Sequence, residues 1–275
     1  MKVTEIMSRD LVCAAPDCPL DEAIRMFEAH PFRHLPVVDS GQLVGMVSDR
    51  DISLSTGWVL ASHRSHAEGS GPRAVSEIMR REVKSLGEED EVASAAKLFL
   101  DERIGALPVI DEGRIVGLIT TTDLLQACRE DDPGFDWKIR PKDPVEKWMT
   151  ADVHTVSPDT AIFDALDICH EKGVRHLPVV EDGQLVGMIS DRDLRFGLGQ
   201  EIVSDQVAQD EGRLEVSQTP VSALMTVEVI TIGQDDLLTT AADRMLEHGF
   251  SALPVLKGGR LAGILTQADL LRSCC

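Results

Sequence analysis

The feature of this sequence that most constrains its fold is a repeat within the chain. The stretch from Arg33 to Asp51, RHLPVVDSGQLVGMVSDRD, returns 142 residues later as RHLPVVEDGQLVGMISDRD, from Arg175 to Asp193, with sixteen of nineteen positions identical. A more divergent copy follows each of these two. Repetition with a nearly constant period indicates supersecondary units that bury their apolar faces against one another.

The spacing inside the four repeats does not change. Each repeat has a Met that closes a short lead-in segment, a Leu-Pro pair beginning 28 residues later, a Ser or Thr 12 residues beyond the Pro, and an Asp three residues after that. The methionines are Met7, Met79, Met149 and Met225; the hydroxyl residues are Ser48, Thr120, Ser190 and Thr266; the aspartates are Asp51, Asp123, Asp193 and Asp269. Successive methionines are 72, 70 and 76 residues apart, so insertions are confined to the connections between repeats.

The apolar pattern within a repeat predicts a helix followed by a hairpin and a second helix. Leu20, Ala23, Ile24 and Phe27 lie at i, i+3, i+4 and i+7, and the same stripe recurs in the other repeats. The run LPVV or LPVI, a turn with Gly and a second apolar run indicate a hairpin. With a short strand before the first helix, the unit is β-α-β-β-α, an α/β (α+β) fold. Because such a unit leaves one sheet face uncovered, we expect repeats to pair.

The connections between repeats predict the domain organisation. The stretch 130–144 has lost all periodicity and is expected to separate two modules, while 58–72 is expected to form an exposed loop inside the first. The predicted repeats are 1–56, 74–129, 144–200 and 219–275, and the predicted modules are 1–129 and 144–275.

Composition limits the partners and the location. Forty-seven acidic residues against 27 basic ones give a net charge of −20, which disfavours nucleic acid or an anionic membrane as the main partner. The N-terminus MKVTEIMSRD has no apolar core of a signal peptide, and no run of 18 apolar residues occurs. We therefore expect a cytoplasmic protein.

Motifs for catalysis or metal binding are lacking in the sequence. It has no GxGxxG, P-loop or GxSxG element and no nucleophile, base and orienting group at a suitable spacing. His63 and His66 have HxxH spacing but no nearby carboxylate or thiol set, so we expect no metal site. Six cysteines without CxxC spacing predict reduced thiols, with Cys274 and Cys275 frayed at the terminus. The sequence thus favours a protein that is not an enzyme.

A Met-ended lead-in, a helix, then xxLPVV, xGxLVGhhS/T and xxD, repeated in pairs, resembles the CBS domain family, named after cystathionine β-synthase. The resemblance covers nearly the whole chain. It implies that two repeats pack into a Bateman module with two clefts and that two modules pack as a flat disk. It also implies clefts that hold adenosine derivatives: AMP, ADP, ATP, S-adenosylmethionine or a dinucleoside polyphosphate. No catalytic cofactor is implied.

The Ser/Thr-x-x-Asp motif of each repeat has two interpretations. As a capping box, its hydroxyl and carboxylate satisfy unpaired N–H groups at a helix start, which contributes roughly 1 kcal/mol per cap. The resemblance implies instead that Asp51, Asp123, Asp193 and Asp269 bind a ribose. It also implies that Ser48, Thr120, Ser190 and Thr266 contact ribose or phosphate near the helix N-terminus. The two interpretations are compatible.

Basic residues distinguish the odd repeats from the even ones. Before Leu-Pro the odd repeats carry Arg33-His34 and Arg175-His176, whereas the even ones carry Gly-Ala and Ser-Ala. The resemblance implies phosphate binding by these four residues, and the alternative is that they are solvated charges of edge strands. Arg50 and Arg192 are further candidates for phosphate binding, or pair with Asp49 and Asp191. The resemblance also implies that four apolar residues contact adenine: Leu11, Val83, Val153 and Val229.

Together these features favour a non-catalytic sensor that binds an adenine nucleotide in clefts between paired repeats. It would act on a protein partner or through its own assembly, as a monomeric disk or a homodimer. An alternative is an interaction scaffold with empty clefts, in which folding alone preserves the motifs. A divergent enzyme would need its chemistry in 58–72 or 131–144.

Overall fold

The computed structural model of the chain describes residues 1–30, 32–53, 55, 73–129, 139, 142–195, 197 and 219–274. The predicted loop 58–72, with His63 and His66, lies outside the described residues, as do Cys275 and most of the stretch 130–144.

Repeats 1 and 2 share one mixed sheet. Its strand order is β1-β2-β5-β4-β3, and single bridges from repeat 1 extend it, such as the parallel one between Ala14 and Val37. The elements are α1 (Leu20–Ala29), β1 (His34–Asp39), β2 (Gln42–Ser48), α2 (Asp49–Ser53), β3 (Leu86–Gly87), α3 (Val92–Glu102), β4 (Ala106–Asp111), β5 (Arg114–Thr120) and α4 (Thr121–Arg129). The predicted β-α-β-β-α unit is confirmed, although its first strand is very short.

Repeats 3 and 4 follow the same order of elements. Their sheets have the orders β6-β7 and β10-β9-β8. The elements are α5 (Ile162–Lys172), β6 (His176–Glu181), β7 (Gln184–Ser190), the helical segment α6 (191–195), β8 (Ile232–Gly233), α7 (Leu238–His248), β9 (Ala252–Lys257), β10 (Arg260–Thr266) and α8 (Gln267–Ser273).

The predicted apolar stripe forms the buried face of each first helix. In α3 the residues at i, i+3, i+4 and i+7 are Val92, Ala95, Ala96 and Phe99, and each of them is buried. The hairpins bury Leu-Pro-Val on one strand and the end of the second strand, as the patterns of β1 and β2 show. Helix and hairpin thereby enclose the core of each repeat.

The lead-in segment of each repeat packs on the hairpin of its partner, not on its own. Ser8 forms an antiparallel bridge with Leu118 of repeat 2, and Met7 lies so close to Gly117 that a Cβ there would be 2.3 Å from its Sδ atom. The same contact recurs in the pairs Met79 and Gly45, Met149 and Gly263, and Met225 and Gly187. The repeated Met and the Gly of LVGM are therefore one feature: the glycine gives room to the partner's methionine.

Helices of repeats 2 and 4 join the two modules through a shared apolar core. This core contains buried residues of α3, α4, α7 and α8, together with Val3 of repeat 1 and Val145 of repeat 3. Arg129 of α4 donates a hydrogen bond from Nε to Asp243 of α7 at 2.7 Å. Cys274, expected to fray, is buried in this core because the end of α8 packs against α4. No helix within the described ranges is long and apolar enough to cross a bilayer.

Candidate functional site

All four Ser/Thr-x-x-Asp motifs form capping boxes. In each one, Oδ2 of the aspartate accepts hydrogen bonds from the backbone N–H and the side-chain hydroxyl of the Ser or Thr three residues earlier. At Ser48 these distances to Asp51 are 2.9 and 2.6 Å, and the N–H of Asp51 donates back to the hydroxyl at 3.1 Å. Local folding thus accounts for one carboxylate oxygen and for the hydroxyl proton.

The second carboxylate oxygen, Oδ1, differs among the four aspartates. Oδ1 of Asp51 pairs with Nε of Arg80 at 3.5 Å, and Oδ1 of Asp269 pairs with Nη1 of Arg272 at 2.5 Å. Within the described residues, Oδ1 of Asp123 and of Asp193 has no hydrogen-bond or ion-pair partner. One acceptor in each module is therefore left open at the start of a helix.

The histidines before Leu-Pro in the odd repeats face the small residues that stand at the arginine position of the even repeats, Gly105 and Ser251. Nε2 of His176 is hydrogen-bonded to Oγ of Ser251 at 3.1 Å. In the first module, a Cβ on Gly105 would lie 2.9 Å from Cε1 of His34. The small residues of the even repeats thus make room for, or bond to, a histidine of the paired repeat.

Both histidines are held in the neutral form. Burial lowers the pKa of His34 to about 4, helped by Arg175 and Arg33, while Asp51 opposes the shift. Burial likewise lowers the pKa of His176 to about 4, helped by the same two arginines. The charge of the arginine in the other module contributes to the pKa shift of each histidine. The pairs Arg33-His34 and Arg175-His176 therefore lie close together.

Repeats 1 and 3 meet at a junction of charged side chains. Nε of Arg192 pairs with Oδ2 of Asp49 at 3.3 Å, across the two modules, and Nη2 of Arg195 pairs with Asp191 at 3.6 Å. Burial raises the pKa of Asp49 and of Asp191, although nearby arginines lower it. Arg50 is one of the arginines near Asp191. Arg192 thus pairs with an aspartate, as predicted, and this aspartate belongs to the other module.

Arg195 is the most buried cation of this junction. Its side chain is 6% exposed, and its Nε and Nη1 atoms have no hydrogen-bond partner among the described residues. It lies near Cys169, whose thiol pKa burial raises to about 12. Cys169 and Arg195 correspond to Phe27 and Ser53 of repeat 1. Repeat 3 therefore has a smaller residue in its first helix and a larger residue after its Ser-x-x-Asp motif.

At the quasi-equivalent junction of repeats 2 and 4, the helix starts meet through neutral side chains. Thr121 and Gln267 stand where the odd repeats carry Asp49 and Asp191, and the Thr121 hydroxyl donates to Oε1 of Gln267 at 3.0 Å. Equivalent helix starts therefore meet through charged residues in repeats 1 and 3 and through neutral residues in repeats 2 and 4. Since the fold does not require charge at this position, the charged junction is the better candidate for function.

The four residues expected near adenine are all half-buried. Leu11 and Val83 pack against one apolar cluster formed by Met46, Ala106 and Leu118, where the two hairpins of the first module meet. Val153 and Val229 are at the corresponding sequence positions of the second module. Adenine contact stays a prediction for all four.

Several residues of the site did not stand out in the sequence. Arg195 beside Asp191, Arg80 beside Asp51 and Ser251 beside His176 are found only through their contacts in the structure. The alternation of Asp with Thr or Gln directly after the motif hydroxyl was an available signal. In the part of the chain that the structure describes, no group of three or more His, Cys, Asp or Glu side chains is placed to hold a metal ion.

Comparison with known proteins gives one family. The CBS domain family matches residues 3–54, 75–130, 145–199 and 221–274. Protein MJ1225 of Methanocaldococcus jannaschii is 27% identical over 99% of this chain and 97% of its own length. Its crystal structure, described as that of a candidate archaeal homolog of g-AMPK, gives a TM-score of 0.85 and covers 99% of both chains.

Two other solved structures are similar over all or half of the chain. An uncharacterized conserved protein from Pyrococcus horikoshii, 23% identical, shares the fold with a TM-score of 0.65 and covers all of both chains. CBSX2, solved in complex with AMP, is 34% identical, covers 47% of this chain and 94% of its own, and has a TM-score of 0.40. From the four family matches and the full-length similarity to MJ1225, the chain belongs to the CBS domain family, as four tandem CBS domains paired into two Bateman modules.

Proposed function

We propose that this chain is a non-catalytic regulatory protein that binds an adenine nucleotide in clefts between its paired repeats. The ligand class is AMP, ADP, ATP or a related adenosyl compound such as S-adenosylmethionine or a dinucleoside polyphosphate. The observation that carries the proposal concerns Oδ1 of Asp123 and of Asp193, one in each module. Among the described residues this atom has no partner, on a carboxylate already oriented by its capping box.

A ribose diol offers two O–H donors, and an ionised carboxylate is an acceptor with no donor of its own. In a capping box, Oδ2 is occupied and fixes the side chain, so Oδ1 is pre-oriented to accept from a sugar. Asp51 and Asp269 have the same cap, but Arg80 and Arg272 have to leave Oδ1 first. Since exposed ion pairs contribute up to about 1 kcal/mol, we expect these two aspartates to bind ribose up to about fivefold more weakly.

The phosphate groups of the ligand are assigned to the basic residues of the odd repeats. Arg33, His34, Arg175 and His176 lie near one another across the two modules, so an anion between them would contact both. Arg50 and Arg192 at the adjacent helix starts add positive charge. In a chain of net charge −20, a local group of cations is what allows a phosphate to bind. The motif hydroxyls would contact the ligand through their remaining lone pair.

Regulation follows if the ligand binds one arrangement of the modules better than another. A phosphate that contacts Arg33 and Arg175 together would favour the arrangement in which these residues are close. The output would pass to a protein partner or through a homo-oligomer in the cytoplasm, without a catalytic cofactor.

Isothermal titration calorimetry and thermal shift with a nucleotide panel test the proposal. AMP, the ligand of the CBSX2 complex, heads the panel, followed by ADP, ATP, S-adenosylmethionine and diadenosine polyphosphate. A ligand at 100 times its Kd should stabilise the chain by about 2.7 kcal/mol. Asp123→Asn and Asp193→Asn keep an oxygen at the cap but place an amide donor at the position of Oδ1. We expect each variant to lose at least tenfold in affinity with little change in stability.

The matched control is Asp90→Asn. Asp90 also accepts a backbone hydrogen bond three residues back, from Gly87 at 2.8 Å, but precedes α3 and belongs to none of the Ser/Thr-x-x-Asp motifs. It should change stability slightly and affinity not at all. If no member of the panel shifts the unfolding temperature, the interaction scaffold replaces the sensor.

A further inference from the structure

Helices α4 and α8 pack so that equivalent positions of repeats 2 and 4 meet. Thr121 and Gln267, each one residue after the motif hydroxyl, are hydrogen-bonded to each other at 3.0 Å. Cys128 and Cys274 are each eight residues after that hydroxyl, and both lie in the core shared by the two modules. Contact between equivalent positions is the property of an isologous interface. The two cysteines therefore occupy a position where the helices are expected to meet their own counterparts.

The two thiols are in direct contact. Cys128 is hydrogen-bonded to the sulfur of Cys274, and the thiol of Cys274 donates to the carbonyl of Leu270 at 3.3 Å. The hydrogen bond from Cys128 lowers the pKa of the Cys274 thiol, although burial opposes the shift. The hydrogen bond thus favours the thiolate of Cys274, with the sulfur of Cys128 adjacent.

We propose that Cys128 and Cys274 are a redox-sensitive pair that a hydroperoxide converts into a disulfide between the two modules. The thiolate of Cys274 attacks the peroxide oxygen, the O–O bond breaks, and a sulfenic acid forms as the alcohol or water leaves. The sulfur of Cys128 then attacks the sulfenic sulfur and water leaves. In sum, two thiols and one hydroperoxide give one disulfide, one water and one alcohol, or a second water when the oxidant is hydrogen peroxide.

Other described cysteines lack this arrangement. Burial raises the pKa of Cys13 and of Cys18, and it raises that of Cys169 to about 12, so their thiolates are disfavoured. The reduced pair is compatible with a cytoplasmic protein, in which disulfides are transient and regulatory. The bond would fix the junction of repeats 2 and 4 and leave movement between the modules to the charged junction of repeats 1 and 3.

Peptide mapping of the full-length chain after treatment with hydrogen peroxide tests the proposal. Thiols left free are alkylated, and the chain is cut with trypsin without reduction. Cleavage after Arg114, Arg129 and Arg272 releases peptides 115–129 and 273–275, which contain the two cysteines. We expect these peptides joined with the loss of two hydrogens, and the pair reopened by dithiothreitol. The oxidised monomer should unfold at a higher temperature than the reduced one.

Two variants identify the sulfur atoms. Cys275→Ala removes the neighbouring thiol and should leave the joined peptides in place, whereas Cys128→Ser should abolish them. Cys18→Ser, a buried cysteine of repeat 1, is the matched control and should not change the mapping. The proposal is overturned if both thiols are still alkylated after peroxide, or if Cys274 is found joined only to Cys275 or to another chain. Neither result depends on nucleotide binding.

Discussion

Acidification should destabilise this protein through His34 and His176. Both have a pKa of about 4 in the folded chain, against 6.5 for an exposed histidine. Between these two values the unfolded chain binds a proton at each site that the folded chain does not. Stability is therefore fully present above pH 6.5 and falls as the pH drops towards 4.

The size of the effect follows from the shift. A difference of about 2.5 pH units corresponds to about 3 kcal/mol for each histidine, and about half of this is lost between pH 7 and pH 5. Solvent screening at the half-buried rings reduces this loss between pH 7 and pH 5 to about 1 kcal/mol for each histidine. Asp49 and Asp191 have raised pKa values and act in the opposite direction, since the folded chain gains stability as they are protonated at lower pH.

Urea unfolding at pH 7, 6 and 5 measures this loss. We expect the free energy of unfolding to fall by about 2 kcal/mol for the wild type and by less than half of that for the double variant His34→Gln and His176→Gln. His154→Gln, at an exposed histidine, is the control and should follow the wild type. Equal slopes for the wild type and the double variant would refute the assignment of lowered pKa values to His34 and His176.

Two further predictions concern packing and charge. Gly117→Ala should destabilise the chain by about 1–3 kcal/mol in thermal unfolding, because its Cβ would overlap Met7, whereas Gly87→Ala, with its nearest neighbour at 3.8 Å, should be close to neutral. Asp191→Gln and Arg195→Leu should be coupled by about 0.5–3 kcal/mol, because each alone removes one partner of a largely buried ion pair and the double variant removes both. A double-mutant cycle by urea unfolding measures this coupling, and additive effects would contradict it.

The local structure of each repeat was predictable from the sequence. The helix stripe, the hairpin and the capping box each depend on residues close together in the chain, so periodicity and spacing identify them. Four copies with identical spacing also predicted that the units pair. Ser48 and Asp51 illustrate this, because their hydrogen bonds follow from a three-residue separation alone.

Contacts between repeats were not predictable in the same way. The position of Met7 on the hairpin of repeat 2, and not on its own, depends on how two units dock. The crosswise pairing of Arg192 with Asp49 also requires the arrangement of the modules. The prediction that Cys274 is frayed was wrong because its burial comes from α4, far away in the sequence. Local patterns carry no information about such long-range packing.

The apolar core that spans α4 and α8 has a consequence for fragments of this protein. The first module produced by itself would expose half of that core, a face built to receive a close copy of itself. Two such modules would place Thr121 against Thr121 and Cys128 against Cys128. Two short chains would then form the junction that repeats 2 and 4 form within the full-length chain. If repeats 2 and 4 of a full-length chain separated, each would expose the same face, and a first module produced by itself would bind there.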